Sequence, residues 1–319
     1  MKVLSLFDGI SCGMIALERA GLPVEKYDAY EIDESAIKIS EANYPQIEHK
    51  GDVFKAEYTE GEYDLLIGGS PCTYWSIAKA GQNRETTSSG LGWELFSQYV
   101  RALREVKPRY FLYENNASMS DDIKHEITKA LGVEPILIDS ADFSAQRRLR
   151  YYWTNIDFCK TWEKSPALFE DIEDKTGDKM ERSLAKYSNT YRWSKNGSVL
   201  SWDTSGKGYY SQVNRARKTN QKWFTVMANR AESKGDVYVG GDIVRHMTVL
   251  EMERLQTLPD NYTAILKNKE ARGHAIGNGW TVDVIAHIMR GIKAPAEKKN
   301  IVIDENGYEQ YCFDFEANA

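Results

Sequence analysis

Residues 2–13, KVLSLFDGISCG, set the reading of the whole chain. Lys2–Phe7 is an apolar run of strand length, Asp8–Gly13 a glycine-containing turn, and Met14–Ala20 continues with helical spacing to Gly21. The pattern repeats downstream. Tyr27–Ile32, Tyr63–Ile67, Arg109–Tyr113 and Glu134–Ile138 read as strands; Glu34–Asn43, about Leu95 to Val106, and Asp121–Leu131 read as helices. Strands alternating with helices predict an α/β fold with a mainly parallel sheet covered on both faces. Such sheets bind ligands beyond the carboxyl ends of their strands, where the unusual residues of this chain fall.

From Asp157 to about Gly241 the periodicity stops and Ser, Asn, Gly, Trp and Tyr accumulate, which predicts a second, irregular lobe. Helical signal returns at Thr248–Gln256, where Thr248 and Glu251 have capping-box spacing. Trp280–Arg290 then returns the chain to the first domain. No apolar run approaches the ~18 residues of a membrane span. The apolar start meets Asp8 too soon for a signal-peptide core, so a cytosolic or nuclear protein is expected. The cysteines at 12, 72, 159 and 312 form no CxxC pair and the five histidines no ligand spacing, which argues against structural zinc and a disulfide framework. A net charge of -6 argues against nucleic acid only on average. Between Ser205 and Lys234, Lys207, Arg215, Arg217, Lys218, Lys222, Arg230 and Lys234 face Glu232 alone, interleaved with Tyr209, Tyr210, Trp223 and Phe224. With Asn214, Asn220 and Gln221 this suits phosphate positioning and base reading; a plainly solvated surface is the alternative.

Asp8 in the first turn, Glu31 ending the second strand and Asp52 after the third unit are acids at three strand ends. They suit a ribose-bearing, cationic cofactor such as S-adenosyl-L-methionine better than a pyrophosphate, which wants helix N-terminal donors. Helix capping is the competing explanation. Cys72 follows Gly68-Gly69-Ser70-Pro71, which puts a thiol at the sheet mouth, and the polar stretch Lys79–Gly92 reads as a closing loop. Glu114 follows the strand Arg109–Tyr113, where an acid is placed for proton donation. Arg148 and Arg150 alternate, so an extended strand would turn both to one side.

In order, Phe7-Asp8-Gly9 with Gly13, Pro71-Cys72 with Ser76, Glu114-Asn115, Gln146-x-Arg148-x-Arg150, Arg245 through Thr248, Glu251, Arg254-Leu255-Gln256 to Pro259-Asp260, and Gly277-Asn278 resemble the DNA cytosine-5 methyltransferases. The match runs from residue 4 to about 290; its length is like that of a compact bacterial or phage enzyme, and its core motifs also resemble the animal de novo subgroup. The resemblance implies a Rossmann-like catalytic domain (1–156 plus 272–293), a target-recognition lobe (157–243), a connecting segment (244–271) and a tail (294–319). It implies Cys72 as nucleophile, Glu114 as proton donor at ring nitrogen 3, and Arg148 with Arg150 as anchors of the base, Arg148 near its carbonyl. For S-adenosyl-L-methionine, with S-adenosyl-L-homocysteine as product, it implies Phe7, Asp8, Gly9, Gly13, Glu31, Ile32, Asp52, Val53, Pro71, Asn278 and Trp280. For double-stranded DNA the expected contacts are Ser76, Arg215, Arg217, Lys218 and Lys222. A cytoplasmic monomer is implied, no membrane, and a cognate restriction endonuclease as the class of partner. A transfer-RNA cytosine methyltransferase, an inactive DNA-binding paralogue and an enzyme using a modified cofactor share these motifs. Asn116, Thr73 and Gly279-Trp280 depart from the common pattern.

Overall fold

Every side chain of β1 (Lys2–Leu6) after Lys2 is buried, as expected of a strand flanked by others and covered on both faces. The chain continues through α1 (Cys12–Arg19), β2 (Lys26–Tyr30), α2 (Glu34–Asn43), β3 (Glu48–His49), β4 (Leu65–Gly68), α3 (Leu91–Val106), β5 (Tyr110–Asn116), α4 (Asp121–Leu131), β6 (Ile136–Asp139) and β7 (Leu149–Thr154). This computed structural model describes residues 1–76, 84–176, 181–204, 206, 208, 214–228 and 236–293, with the backbone of 301–303 and 309–311. The strands form one seven-stranded sheet, ordered β3-β2-β1-β4-β5-β7-β6. All neighbours are parallel except β7, which runs antiparallel to both β5 and β6. Alternation divides the core: Val3, Ile67 and Leu112 pack with Ile15, Leu17 and Ile288 on one face. Leu4, Leu66 and Phe111 pack with Phe96, Tyr99 and Ile123 on the other.

Caps follow the sequence. Asp33 accepts from Ser35 and Ala36 at the start of α2, Ser120 accepts from Ile123 at the start of α4, and Gly132 ends α4 in the left-handed region. β5 outruns the predicted strand by three residues, because pairing with β7 carries it through Glu114 and Asn115 to Asn116, opposite Arg150.

The lobe expected to be irregular holds a sheet. After α5 (Phe169–Ile172) come β8 (Glu181–Ser183), β9 (Tyr191–Trp193), β10 (Val199–Trp202), β11 (Arg215–Arg217), β12 (Asp236–Gly240) and β13 (Ile243–Arg245), ordered β8-β13-β12-β11-β10-β9. None exceeds five residues, too short for a clear period-two signal. Leu184, Leu200, Trp202, Ala216 and Val244 form its own small core.

Of the stretch 244–271, expected as a connector, Val244 and Arg245 end the lobe sheet, and the part from α6 (Val249–Leu255) onward packs into the first domain. There Met252, Leu255, Leu258 and Tyr262 join the cluster around Ile15. The Tyr262 hydroxyl donates to Ile10 O at 2.7 Å. α7 (Lys269–Asn278) and α8 (Val282–Met289) complete that layer, with α8 against α1. In the tail, β14 (Ile301–Ile303) and β15 (Glu309–Tyr311) pair antiparallel. Among the described residues no helix is long and apolar enough to cross a membrane.

Candidate active site

Three residues of the first turn, Phe7, Gly9 and Ser11, have φ of 58°, 61° and 57°. For the two that are not glycine, a left-handed backbone costs of order 1–3 kcal/mol and needs holding. Asp8 provides the hold: its carboxylate accepts from Ser5 Oγ (2.6 Å), Tyr27 OH (2.7 Å) and Ser11 Oγ (2.5 Å). Both oxygens are thus engaged by hydroxyls, which fixes the carboxylate in place on the cleft wall. Glu31 ties this turn to the next strand end, accepting from Gly9 N, Ile32 N and Asp33 N at 2.8–2.9 Å. Burial raises its pKa.

The turn forms one wall of a cleft of about 260 Å³ at the carboxyl ends of the strands. Phe7, Asp8, Gly9, Ile10, Glu31 and Asp33 line it from the first two units, and Pro71, Cys72, Thr73, Glu114, Arg148 and Arg150 from the next. Ala228, His274, Asn278 and Trp280 close it. Other expected cofactor residues lie elsewhere. Gly13 faces the sheet: a Cβ there would sit 2.4 Å from Ile67 Cδ1 and 2.8 Å from Tyr27 OH, so glycine serves helix packing. Asp52 caps a short turn by accepting from Phe54 N, and Val53 is buried in the core on the α3 face. Ile32 holds its apolar side chain 73% exposed beside Glu31. Phe7, Gly9, Glu31 and the segment 278–280 are the residues that fit a ribose-bearing ligand, because an oriented carboxylate faces an open cleft.

Cys72 opens a single 3-10 turn whose carbonyl accepts from Trp75 N and Ser76 N. Ser76 thereby closes the turn that presents the thiol. Behind it, Asn115 Nδ2 donates to Ser70 O and the Tyr113 hydroxyl, and Asn116 Nδ2 to Asn115 Oδ1. The uncommon Asn116 therefore extends the network holding the Cys72 approach. Arg84 links this loop to the end of β5, donating to Trp75 O and Ser118 O. Residues 79–83 of the expected closing loop (79–92) lie outside the described residues.

Glu114 is held from two sides. Arg150 Nε stands 2.9 Å from Oε1, and the Trp280 indole N–H donates to Oε2 at 2.9 Å. A Cβ on Gly69 would come within 3.0 Å of that same oxygen. Arg148 lines the same cleft as Arg150 but makes different contacts. β7 begins only at Leu149, and the buried Arg148 guanidinium turns inward to Val226 O (2.7 Å), Gly277 O (3.1 Å) and Gly279 O (3.0 Å). Burial first, then the Arg150 charge, lowers its pKa to about 10. Arg148 therefore staples elements together, and Arg150 is the arginine paired with the acid.

On the lobe, Arg215 and Arg217 stack over Phe224, and Arg217 also donates to Lys222 O. Lys222 does not reach outward as expected; its ammonium donates to Ser144 O and Ser165 O at 2.8 Å, fixing the lobe to the first domain. Lys218 lies over the Trp193 ring. Lys207, Tyr209, Tyr210, Arg230 and Lys234 lie outside the described residues. The sequence reading missed Ala228 and His274. Only His274 left a signal, four residues before Asn278 on α7, whose Nδ2 is 3.1 Å from its Nε2. Among the described residues no group of three metal-ligating side chains exists.

The chain is similar to known proteins in sequence and in fold. The chain is 26% identical to the type II methyltransferase M.NgoPII of Neisseria gonorrhoeae, over 93% of this chain and 97% of that one. It is 27% identical to the type II methyltransferase M.FnuDI of Fusobacterium nucleatum, over 96% and 98%. The fold is similar to that of the S. pombe Dnmt2 methyltransferase (TM-score 0.62, 15% identity, 91% of this chain and 97% of that one). It is also similar to that of a putative DNA modification methyltransferase encoded within an E. coli prophage (TM-score 0.60, 20% identity, 91% and 98%). The profile of the C-5 cytosine-specific DNA methylases matches residues 1–294, and the chain belongs to that family.

Proposed function

We propose that the protein transfers a methyl group from S-adenosyl-L-methionine to carbon 5 of cytosine in double-stranded DNA, leaving S-adenosyl-L-homocysteine. The observation that carries the reading is the meeting of Cys72, Glu114, Arg150 and Glu31 on one cleft. Cytosine carbon 5 is a poor nucleophile, and attack by the Cys72 thiolate on carbon 6 makes it an enamine. Glu114 handles the proton at ring nitrogen 3, and the Arg150 guanidinium supplies fixed positive charge beside it. The cofactor, held by Glu31, the Phe7–Gly9 turn and the 278–280 segment, supplies the electrophilic methyl group. Loss of the carbon 5 proton to a base then releases the Cys72 thiolate and restores the ring. The cleft receives one base only after it is flipped from the duplex. The lobe supports backbone contact through Lys218, Arg215 and Arg217.

The test is methyl transfer from labelled cofactor to duplex DNA and to transfer RNA side by side, with product nucleosides identified by mass. The reading requires 5-methylcytosine in DNA, a covalent adduct with DNA carrying 5-fluorocytosine, and loss of both in Cys72→Ala. Transfer to RNA alone, or a group other than methyl on the product, would overturn it. So would a folded Cys72→Ala that methylates at the wild-type rate.

A further inference from the structure

Trp280 joins two halves of the cleft that no local pattern connects. Its backbone is clamped on both sides. Gly279 O accepts from Arg148 Nη2 and from Gln256 Nε2, both at 3.0 Å. Thr281 Oγ1 donates to Gln256 Oε1 at 2.8 Å and accepts from Ser140 Oγ at 2.9 Å. From that platform one ring edge lies by the first turn, with Cζ3 3.7 Å from where a Gly13 Cβ would stand. The indole N–H reaches Glu114 Oε2 at 2.9 Å. Room for this approach comes from Gly69, where a Cβ would stand 3.4 Å from Trp280 Nε1 and 3.0 Å from Glu114 Oε2.

A glutamate side chain has three rotatable bonds, and a carboxyl that must meet one ring nitrogen loses rate when it wanders. An indole N–H donates only, so it fixes the oxygen it holds as an acceptor. We propose that Trp280 is a positioning residue for the methyl transfer. Its N–H sets the Glu114 carboxyl in place opposite Arg150, while its ring forms part of the cofactor wall. The proposal rests on the methyltransferase reading above.

The experiment replaces Trp280 in the full chain with β-(3-benzothienyl)alanine, which exchanges the N–H for sulfur and keeps the ring shape. A 5-fluorotryptophan substitution, which keeps the N–H, is the control. Removing a hydrogen bond to a charged group should lower kcat roughly ten- to a hundred-fold. KM for the cofactor and calorimetric affinity for S-adenosyl-L-homocysteine should stay within about two-fold, since the ring remains. Trp280→Phe should follow the same direction. A benzothienyl variant turning over within about two-fold of wild type, a loss confined to cofactor KM, or an equal loss in the fluorotryptophan control would each overturn the proposal. A wild-type protein that transfers no methyl group to cytosine would instead overturn the reading beneath it.

Discussion

Gln146 and Gln256, 110 residues apart, hydrogen-bond side chain to side chain at 2.9 Å in the fully buried interior. Gln146 also donates to Leu255 O and accepts from Val226 N, while Gln256 donates to Ile276 O and Gly279 O. The pair joins the approach to β7, the segment returning from the lobe, the end of α6 and the α7–α8 junction. Gln256→Ala would orphan several buried groups, each costing about 1–3 kcal/mol before water relieves part of it. A loss of roughly 2–4 kcal/mol in denaturant titration is expected, together with slower turnover as the Trp280 platform loosens. A change under about 0.5 kcal/mol would mean the network carries no stability.

Glu114 and Arg150 sit diagonally across the β5–β7 pair, Arg150 lying opposite Asn116. Glu114→Gln keeps the shape and removes the acid, and should lower kcat by roughly 10²–10⁴. Binding of S-adenosyl-L-homocysteine, measured by calorimetry, should be unchanged, because Glu31 and the first turn are untouched. Turnover within about ten-fold of wild type would remove Glu114 from proton transfer.

These relationships divide what the sequence discloses from what it conceals. β1 and its turn were legible because a buried parallel strand is a continuous apolar run, and Cys72 because its turn residues are adjacent to it. The Thr248–Glu251 capping box was legible for the same local reason, and both of its bonds form. The bonds that hold Arg148 were not legible, because its partners, Val226, Gly277 and Gly279, lie 78 to 131 residues away. Trp280 was expected at the cofactor, but its bond to Glu114 spans 166 residues and leaves no periodic trace. Likewise the strands of the lobe find their partners through tertiary packing that short, polar segments do not announce.

Lys218 and Lys222, four residues apart, should behave differently. Lys218 rests on the exposed Trp193 ring, whereas Lys222 is spent on Ser144 O and Ser165 O. If Lys218 meets a phosphate, Lys218→Ala weakens DNA binding at low salt and reduces the slope of log affinity against log salt by about 1. Lys222→Ala should leave that slope alone and lower the unfolding midpoint, because two buried-side carbonyls lose their donor. Titrations at two or more salt concentrations, with melting curves on the same preparations, separate the roles. Equal slopes for wild type and Lys218→Ala would place the DNA contact elsewhere.

The three described cysteines should sort by their surroundings under alkylation. Burial pushes the Cys12 thiol up to about 12, so at pH 8 it is protonated as well as enclosed and should stay unlabelled. Cys159 is exposed, and its hydrogen bonds with Thr161 lower its pKa, so it should react first. Cys72 is half-buried on the cleft and should lose reactivity when S-adenosyl-L-homocysteine and DNA are added together, while Cys159 should not. Peptide mapping after timed iodoacetamide exposure reads all three. Cys12 carries a further consequence for stability. Its folded pKa is raised, so the folded protein keeps a proton that the unfolded chain releases above pH 9. The stabilisation is full below pH 9 and erodes as pH rises toward 12, where Cys12→Ser should flatten the decline. Rapid labelling of Cys12 in the folded protein at pH 8 would contradict both the burial and the linkage.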